Sequence, residues 1–526
     1  MPVRHRPLVL TALCLCAFAV NLDVTLVNVT LPRLTLDLGA STRDLQWVVD
    51  AYTLAFAALV LPAGSLGDRF GRREALLVGL VVYGVGNGLG GLTDSTGALI
   101  ATRALMGVGA AIIFPTTLSI ITNVYTGRAE RAQAIGIWGA VTGVAIALGP
   151  IAGGVLLEAS TWQATFLVKV PVALLAIGLV AWIVPTSRDP QAPRIDVPGL
   201  VLSALAVGTA VFAIIEAPSL GWASVETLGL FAAAAILAGA FIAHERRTPQ
   251  PMLDVRLFRN LRFSAASVAV TVSFFALAGF IFLIIQYFQF MKGYGPLETG
   301  LRLLPVATSV AVGSLVGTQV AVRRGTKLVV SGGLVSLTAA YAWISTVSVA
   351  TSYPEIAGQM ILLGTGMGLT SAPATESIMG AVSRGKAGIG SAVNDATREL
   401  GGTLGVAVIG SVYASLYVAA FKPSTTGGLP DAAVDRAQDS IGAALVTAGR
   451  LGADGGALRS VASAGFFDGL QAGCLVAAGV CAAGAVFSAL VLPAQPEAAP
   501  LSPPPRGTRP RPRSTRTTPH PARSSG

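Results

Sequence analysis

Two charged residues stand where apolar and small side chains otherwise run unbroken: Asp23 in "CAFAVNLDVTLVNVTLP" (16–32) and Arg103 in "LIATRALMGVGAAIIFP" (99–115). A charge at membrane depth costs about 2.5–3.5 kcal/mol or more, and it ordinarily faces a bundle interior or a watery cavity. A buried carboxyl whose charge is disfavoured by desolvation can take a proton from one side and release it to the other. Asp23 is therefore read as a proton-coupling group, the alternative being a residue held in a static polar cluster. Counted at 1.5 Å per residue, Asp23 lies roughly 13 Å below Pro32 and Arg103 roughly 9 Å below Gly97. The similar depths predict that the two face each other across a cavity; a static buried ion pair is the competing account.

A second group lies in "SAVNDATRELGGTLGVAVIGSV" (391–412), where Asp395, Arg398 and Glu399 at i, i+3 and i+4 share one helix face. Glu376 stands at a comparable level. Together they are candidates for an inner gate or second proton stop, or for a self-neutralising interfacial cluster. Asp50, Glu158, Glu216 and Asp468 fall near the ends of apolar segments and read as solvated boundary charges.

The elements that must position these residues follow from composition. The 526 residues are 53% hydrophobic and only 12% charged, half the charge of an ordinary water-facing protein. Apolar runs of about 20 residues, each long enough to cross ~30 Å of hydrocarbon, recur at about 8–31, 44–66, 74–93, 97–122, 134–157, 163–184, 198–217, 224–243, 264–289, 303–322, 328–349, 354–379, 388–416 and 466–493. Backbone amides find no partners in lipid, so the runs must be helices. The chain reads as an all-α polytopic membrane protein of fourteen spans. The first span is retained and not read as a cleaved leader, because its apolar stretch runs far past the small-residue "AFA" (17–19).

Of the 36 lysines and arginines, 26 fall in the tails and alternate loops on one side. That bias places both termini in the cytoplasm. It also accounts for the net charge of +10 without nucleic acid. All four cysteines (Cys14, Cys16, Cys474, Cys481) lie inside spans, and the three histidines (His5, His244, His520) lie far apart in tails or a loop. No metal site, disulfide framework or cofactor is expected.

A weak duplication organises the chain. "DRFGRR" (68–73) matches "VRRGTK" (322–327), and "AIG" (134–136) matches "GIG" (388–390), both at an offset of 254 residues. Such repeats are the ground plan of many secondary transporters. The expected division is an N-terminal six-helix half (1–184), an inserted helix pair with its flanking loops (185–263), a C-terminal six-helix half (264–493) and a disordered Pro/Arg-rich cytoplasmic tail (494–526). Within the second half, 417–465 forms an outer loop whose stretch from Asp431 to Leu451 is expected as a short surface helix.

"GSLGDRFGRR" (64–73) places four charges in a tight turn after the second span, with Gly67 and Gly71 suited to positive φ. The stretch closely resembles the loop signature of the major facilitator superfamily. That resemblance implies a cytoplasmic latch between halves made by Gly64, Asp68, Arg69, Gly71, Arg72 and Arg73. "LDVTLVNVTLP" (22–32), the fourth-span stretch around Arg103 and "GVAIALGPIAGG" (143–154) resemble its fourteen-span drug:proton antiporter branch (EmrB/QacA type). This implies a major facilitator fold, proton coupling through Asp23 and Arg103, and an antiporter helix motif at Gly143, Gly149, Pro150, Gly153 and Gly154. Independently, Ala145, Gly149 and Gly153 form a small-residue face suited to close helix packing, and Pro150 loosens the helix at that level.

The reading that follows is a proton-coupled antiporter exporting small lipophilic or cationic compounds, with partners limited to substrate, protons and lipid, acting as a monomer. A dedicated exporter of one metabolite or antibiotic is the main alternative. A proton symporter is disfavoured by "GPIAGG". A membrane enzyme or sensor is disfavoured by the absence of a nucleophile constellation or a large soluble loop, and no phosphate-binding loop points to ATP.

Overall fold

A computed structural model describes residues 6–126, 128–187, 196–249, 251, 253–382, 387–426, 428–452 and 455–493. The tail from 494 onward lies outside these. Helices α1 (Arg6–Leu38), α2 (Thr42–Phe70), α3 (Arg72–Gly91), α4 (Thr96–Val124) and α5 (Arg128–Ala159) are followed by a short α6 (Ala164–Leu167) and by α7 (Lys169–Ile183). A central pair follows, α8 (Val197–Leu220) and α9 (Val225–Arg247). Then come α10 (Leu261–Gln286), α11 (Pro296–Arg302), α12 (Leu304–Arg324), α13 (Thr326–Ile344), α14 (Tyr353–Gly380) and α15 (Ala387–Ala419). The chain closes with α16 (Pro423–Thr426), α17 (Asp431–Asp439), α18 (Ile441–Arg450) and α19 (Gly455–Val491).

Among the described residues, eleven helices are long and apolar enough to cross a membrane. A twelfth is added if the two arms of α5, bent by 40° around Ala147, count as one span. The bend lies a turn before Pro150, which cannot bond to the carbonyl four residues back and crowds it.

The duplicated loops are duplicated in three dimensions. Gly71, with φ +119°, is a one-residue break between α2 and α3, and Gly325, with φ +90°, is the same break between α12 and α13. Only glycine takes this backbone region without strain. The ten-residue turn expected at 64–73 is therefore corrected: α2 stays helical to Phe70, and one residue makes the whole turn. Gly67 is helical and serves packing instead, since a Cβ there would lie 3.3 Å from Thr116 Oγ1.

The two sets of helices meet mainly toward the face that bears α17 and α18. Gln46 of α2 donates to the Ala407 carbonyl (3.0 Å) and the Ser411 hydroxyl (3.1 Å) of α15. Deeper along the same seam, Thr403 bonds Thr53 at 2.8 Å. Gly154 of α5 abuts the Leu297 backbone of α11, and Gly300 abuts the Pro150 carbonyl. Helix α8 packs against both α2 and α15, with Trp47 beside Phe212.

The expected surface helix at 431–451 is two helices, split at the extended Ser440. Their apolar faces, Ala437, Ile441 and Ala444, are buried, so they form a cap and not a free surface element. The last span is also longer than its apolar core, because α19 begins at Gly455 and not near 466.

Candidate functional site

Asp23 lies near the middle of α1, because that helix runs through Pro32 to Leu38 instead of ending near 31. Its carboxylate is wholly buried. Arg103 of α4 reaches it from the side: Nη1 donates to Asp23 Oδ2 at 2.6 Å, and Nε donates to the Val48 carbonyl at 2.9 Å. The guanidinium lies over the Tyr52 ring, 4.4 Å from its centroid, a cation–π contact strengthened by desolvation. The two were expected to face each other across a cavity; instead they are in direct contact and buried, which is the geometry of the competing ion-pair account.

The third member was not read from the sequence. Lys169, the first residue of α7, donates to Asp23 Oδ1. Its Nζ lies 4.7 Å from the centroid of Phe166 on α6. All three ionisable side chains are at most 2% exposed. Lys169 falls near the start of the expected 163–184 span, where lysines ordinarily snorkel to water. The signal that could have found it is the break "FLVKVP" (166–171), where the α6–α7 junction turns the lysine inward.

Arg103 and Tyr52 also line a cavity of about 190 Å³ between the two sets of helices. One wall is Val20, Asn21, Val24 and Thr25 of α1. The facing wall carries Phe274, Leu277 and Ile281 of α10 together with Asp395, Arg398 and Glu399 of α15. These last three, expected as an inner gate or interfacial cluster, are thus drawn into the central cavity. No salt bridge joins Arg398 to either acid. Instead Arg398 lies over the Phe274 ring at 5.3 Å and contacts Thr375 Oγ1 at 3.3 Å. Glu376 is not part of this group: it is exposed, while its neighbour Thr375 takes the contact.

The loop residues divide. Gly64 and Asp68 lie within α2, their surroundings outside the described residues, and Arg69 is exposed over Phe70. The Arg72 backbone N–H donates to the Ser187 carbonyl at 2.8 Å, and Arg73 donates to the Ala181 carbonyl. Both contacts stay in the N-terminal set of helices, with the end of α7 and the segment after it.

The α5 motif packs as its spacing implies. Gly149 and Gly153 face α1: a Cβ at Gly149 would collide with Thr25, and one at Gly153 would lie 3.2 Å from the Leu26 carbonyl. Gly154 faces the opposite set at Leu297. Gly143 is helical, and its surroundings lie outside the described residues.

Two acids read as boundary charges are corrected. Asp50 is fully buried, with neither carboxylate oxygen hydrogen-bonded. Glu216 is buried against Arg43 at 2.7 Å. Both lie on helices that pack where the two sets meet, so closeness to a helix end does not expose them.

Comparison with known proteins gives this geometry a lineage. The chain is 35% identical over 429 residues to the multidrug resistance protein Stp of Mycobacterium tuberculosis, covering 81% of this chain and 80% of that one. It is 33% identical to the multidrug efflux pump LfrA of Mycolicibacterium smegmatis (89% and 93% covered). To the tetracenomycin C resistance and export protein of Streptomyces glaucescens it is 32% identical (94% and 93% covered). Its fold matches the crystal structure of a bacterial homologue of the human lysosomal transporter Spinster with TM-score 0.66 at 18% identity, over 94% of this chain and 98% of that one. The Major Facilitator Superfamily profile matches residues 13–406, and the chain belongs to that superfamily of membrane transporters.

Proposed function

We propose that this protein is a proton-driven exporter of small lipophilic or cationic compounds, working in the cell membrane by alternating access. One observation carries the reading: a buried Asp23–Arg103–Lys169 cluster borders, through Arg103, an intramembrane cavity between two sets of helices. A charged group at such depth is a candidate proton site by its cost alone. Differential affinity of proton and substrate for the two facing states then drives the cycle. The relatives support the direction of transport, since their names record multidrug efflux and antibiotic export.

The finer architecture belongs to the same reading. Counting α2, the bent α5 and α14 with the eleven clearly apolar helices gives fourteen spans, as in the fourteen-span antiporter branch. The central pair α8–α9 then sits between two six-helix halves, 1–184 and 264–493. The basic residues put the loop at 64–73 and both termini in the cytoplasm.

Among the described residues, the hydrogen bonds between the two sets of helices, such as Gln46–Ser411, Gln289–Val29 and Thr403–Thr53, lie at the cavity and beyond it toward α17 and α18. In that orientation their placement supports an inward-facing state. The latch would engage when the halves rock to face outward, about the small-residue seam at Gly149, Gly153 and Gly154. Asp395 and Glu399 line the cavity beside Arg398 and Arg103, and Phe274, Leu277 and Ile281 give it apolar surface, a lining suited to lipophilic compounds that carry a polar or charged group. The proton gradient is the energy source, with no cofactor, and the chain acts as a monomer.

The competing reading, a dedicated exporter of one compound, is favoured by the tetracenomycin C export protein, which aligns over 94% of this chain. Uptake into inverted membrane vesicles across a panel of lipophilic cations and antibiotics separates the two. Several unrelated compounds moved support the broad exporter, and one compound class supports the narrow one.

A further inference from the structure

The Asp23 cluster holds more positive than negative charge. One carboxylate takes Arg103 on Oδ2 and Lys169 on Oδ1, so with all three ionised the cluster carries one uncompensated positive charge in a buried place. The surrounding elements do not offset it. Tyr52 comes from α2 and Tyr83 from α3, its hydroxyl spent on the Ala19 carbonyl at 2.9 Å. The α3 face opposite α7 presents Gly84 and Gly88, and α6 presents Phe166. Asp50 on α2 is buried two residues from the Val48 carbonyl that Arg103 takes, yet neither of its oxygens accepts a hydrogen bond, and Asp395, Arg398 and Glu399 stand on the far cavity wall. Asp23 is the one acid bonded to Lys169 among the described residues.

Of the three groups, the guanidinium cannot be deprotonated in a protein. The carboxylate is clasped by two cations, and each favours its ionised form. The ammonium is the charge that can be given up, because lysine readily becomes a neutral amine in buried sites. We propose that Lys169, and not Asp23, carries the proton exchanged for substrate. In the loaded cluster it is an ammonium; in the unloaded cluster it is a neutral amine beside an Asp23–Arg103 ion pair. The proposal rests on the proton-driven reading above.

The step is a proton transfer alone. An N–H bond of the Lys169 ammonium breaks, its electron pair stays on Nζ, and the proton passes to Asp23. From there it leaves along the Arg103 side to water in the cavity, restoring the carboxylate. The cluster charge falls from +1 to zero. A loaded cluster repels a cation in the cavity and an unloaded one does not, so proton and cationic substrate exclude each other without sharing a contact.

The chain has five lysines, Lys169, Lys292, Lys327, Lys386 and Lys422, few enough for each side-chain amine to be followed. The full-length protein, labelled with ¹⁵N at lysine Nζ and held in lipid nanodiscs, is titrated by NMR. The Lys169 signal is identified by its loss in K169R. Lys169 is expected to pass from ammonium to amine at least about one pH unit below the other four. In proteoliposomes, K169R is expected to lose at least about tenfold of the gradient-driven accumulation of tetraphenylphosphonium, while K422R matches wild type. Lys169 remaining an ammonium alongside the others would overturn the proposal, as would K169R accumulating the probe at the wild-type level. If the wild type moves the probe without regard to the gradient, the proton-driven reading fails instead. The amine titration still decides whether Lys169 exchanges a proton.

Discussion

The Asp23 carboxylate on α1 is bound by the Lys169 ammonium on α7, 146 residues away in the chain. With Arg103 on its other oxygen, this contact ties three helices, α1, α4 and α7, around a single acid. A buried ion pair is weak evidence of net stability, yet removing one partner is costly, because it strands the other charge in a low dielectric.

The first prediction follows from that asymmetry. Arg103→Gln or Asp23→Asn should destabilise the protein by about 3–5 kcal/mol, read as a lowered thermal midpoint in detergent. The double change Asp23→Asn with Lys169→Met should cost less than the two single changes added together, with a coupling of about 0.5–3 kcal/mol. Additive losses would show that the contact has no energetic reality.

Much of this site was legible beforehand, and the reasons differ residue by residue. Asp23 and Arg103 declared themselves because a charge in an apolar run has few cheap explanations, and their depths can be counted along a helix. Lys169 stayed hidden because a lysine at a helix start is ordinary, and only the α6–α7 break turns it inward. Asp50 and Glu216 were misplaced for the converse reason: nearness to a helix end says nothing about what packs alongside. The repeat was readable as two short loops, and Gly71 and Gly325 turned out to be the same hinge. The helical stretch at 431–451 was legible, but its split at Ser440 and its docking were not, because helices of 9 and 10 residues carry too short an apolar face to reveal what they pack on.

The second prediction concerns the small-residue seam. Gly149→Ala should destabilise by about 1–3 kcal/mol through collision with Thr25. Gly153→Ala, with 3.2 Å to the Leu26 carbonyl, should cost distinctly less. Thr25→Ala should recover part of the Gly149→Ala loss. Thermal midpoints of the four proteins check the order.

At the hinge, Gly71→Ala should cost about 1 kcal/mol or more, because φ +119° is strained for any residue with a Cβ and the new methyl meets the Glu74 carboxylate. Glu74→Ala should relieve the steric share and leave the backbone share. Full recovery in the double variant would mean that the backbone angle is not strained.

The cap gives a pH dependence outside the membrane helices. Burial, and then the Asp44 and Asp435 carboxylates, hold the Asp439 carboxyl above its ordinary range. The docked cap therefore binds that proton more tightly than the undocked chain. Its stability from this group is full below the ordinary carboxylate value of about 3.9 and is lost as pH rises through the raised one. Hydrogen exchange of α17 amides should quicken over that window, and Asp439→Asn should flatten the response. A cap equally protected from pH 4 to 8 in the wild type would refute it.

The most direct test of the account uses purified protein in proteoliposomes with an imposed pH gradient. A lipophilic cation should accumulate only while the gradient stands, a protonophore should abolish it, and Asp23→Asn should not accumulate the cation at all. Accumulation by Asp23→Asn at the wild-type rate, or in wild type without any gradient, would contradict the claim that this buried cluster couples protons to export.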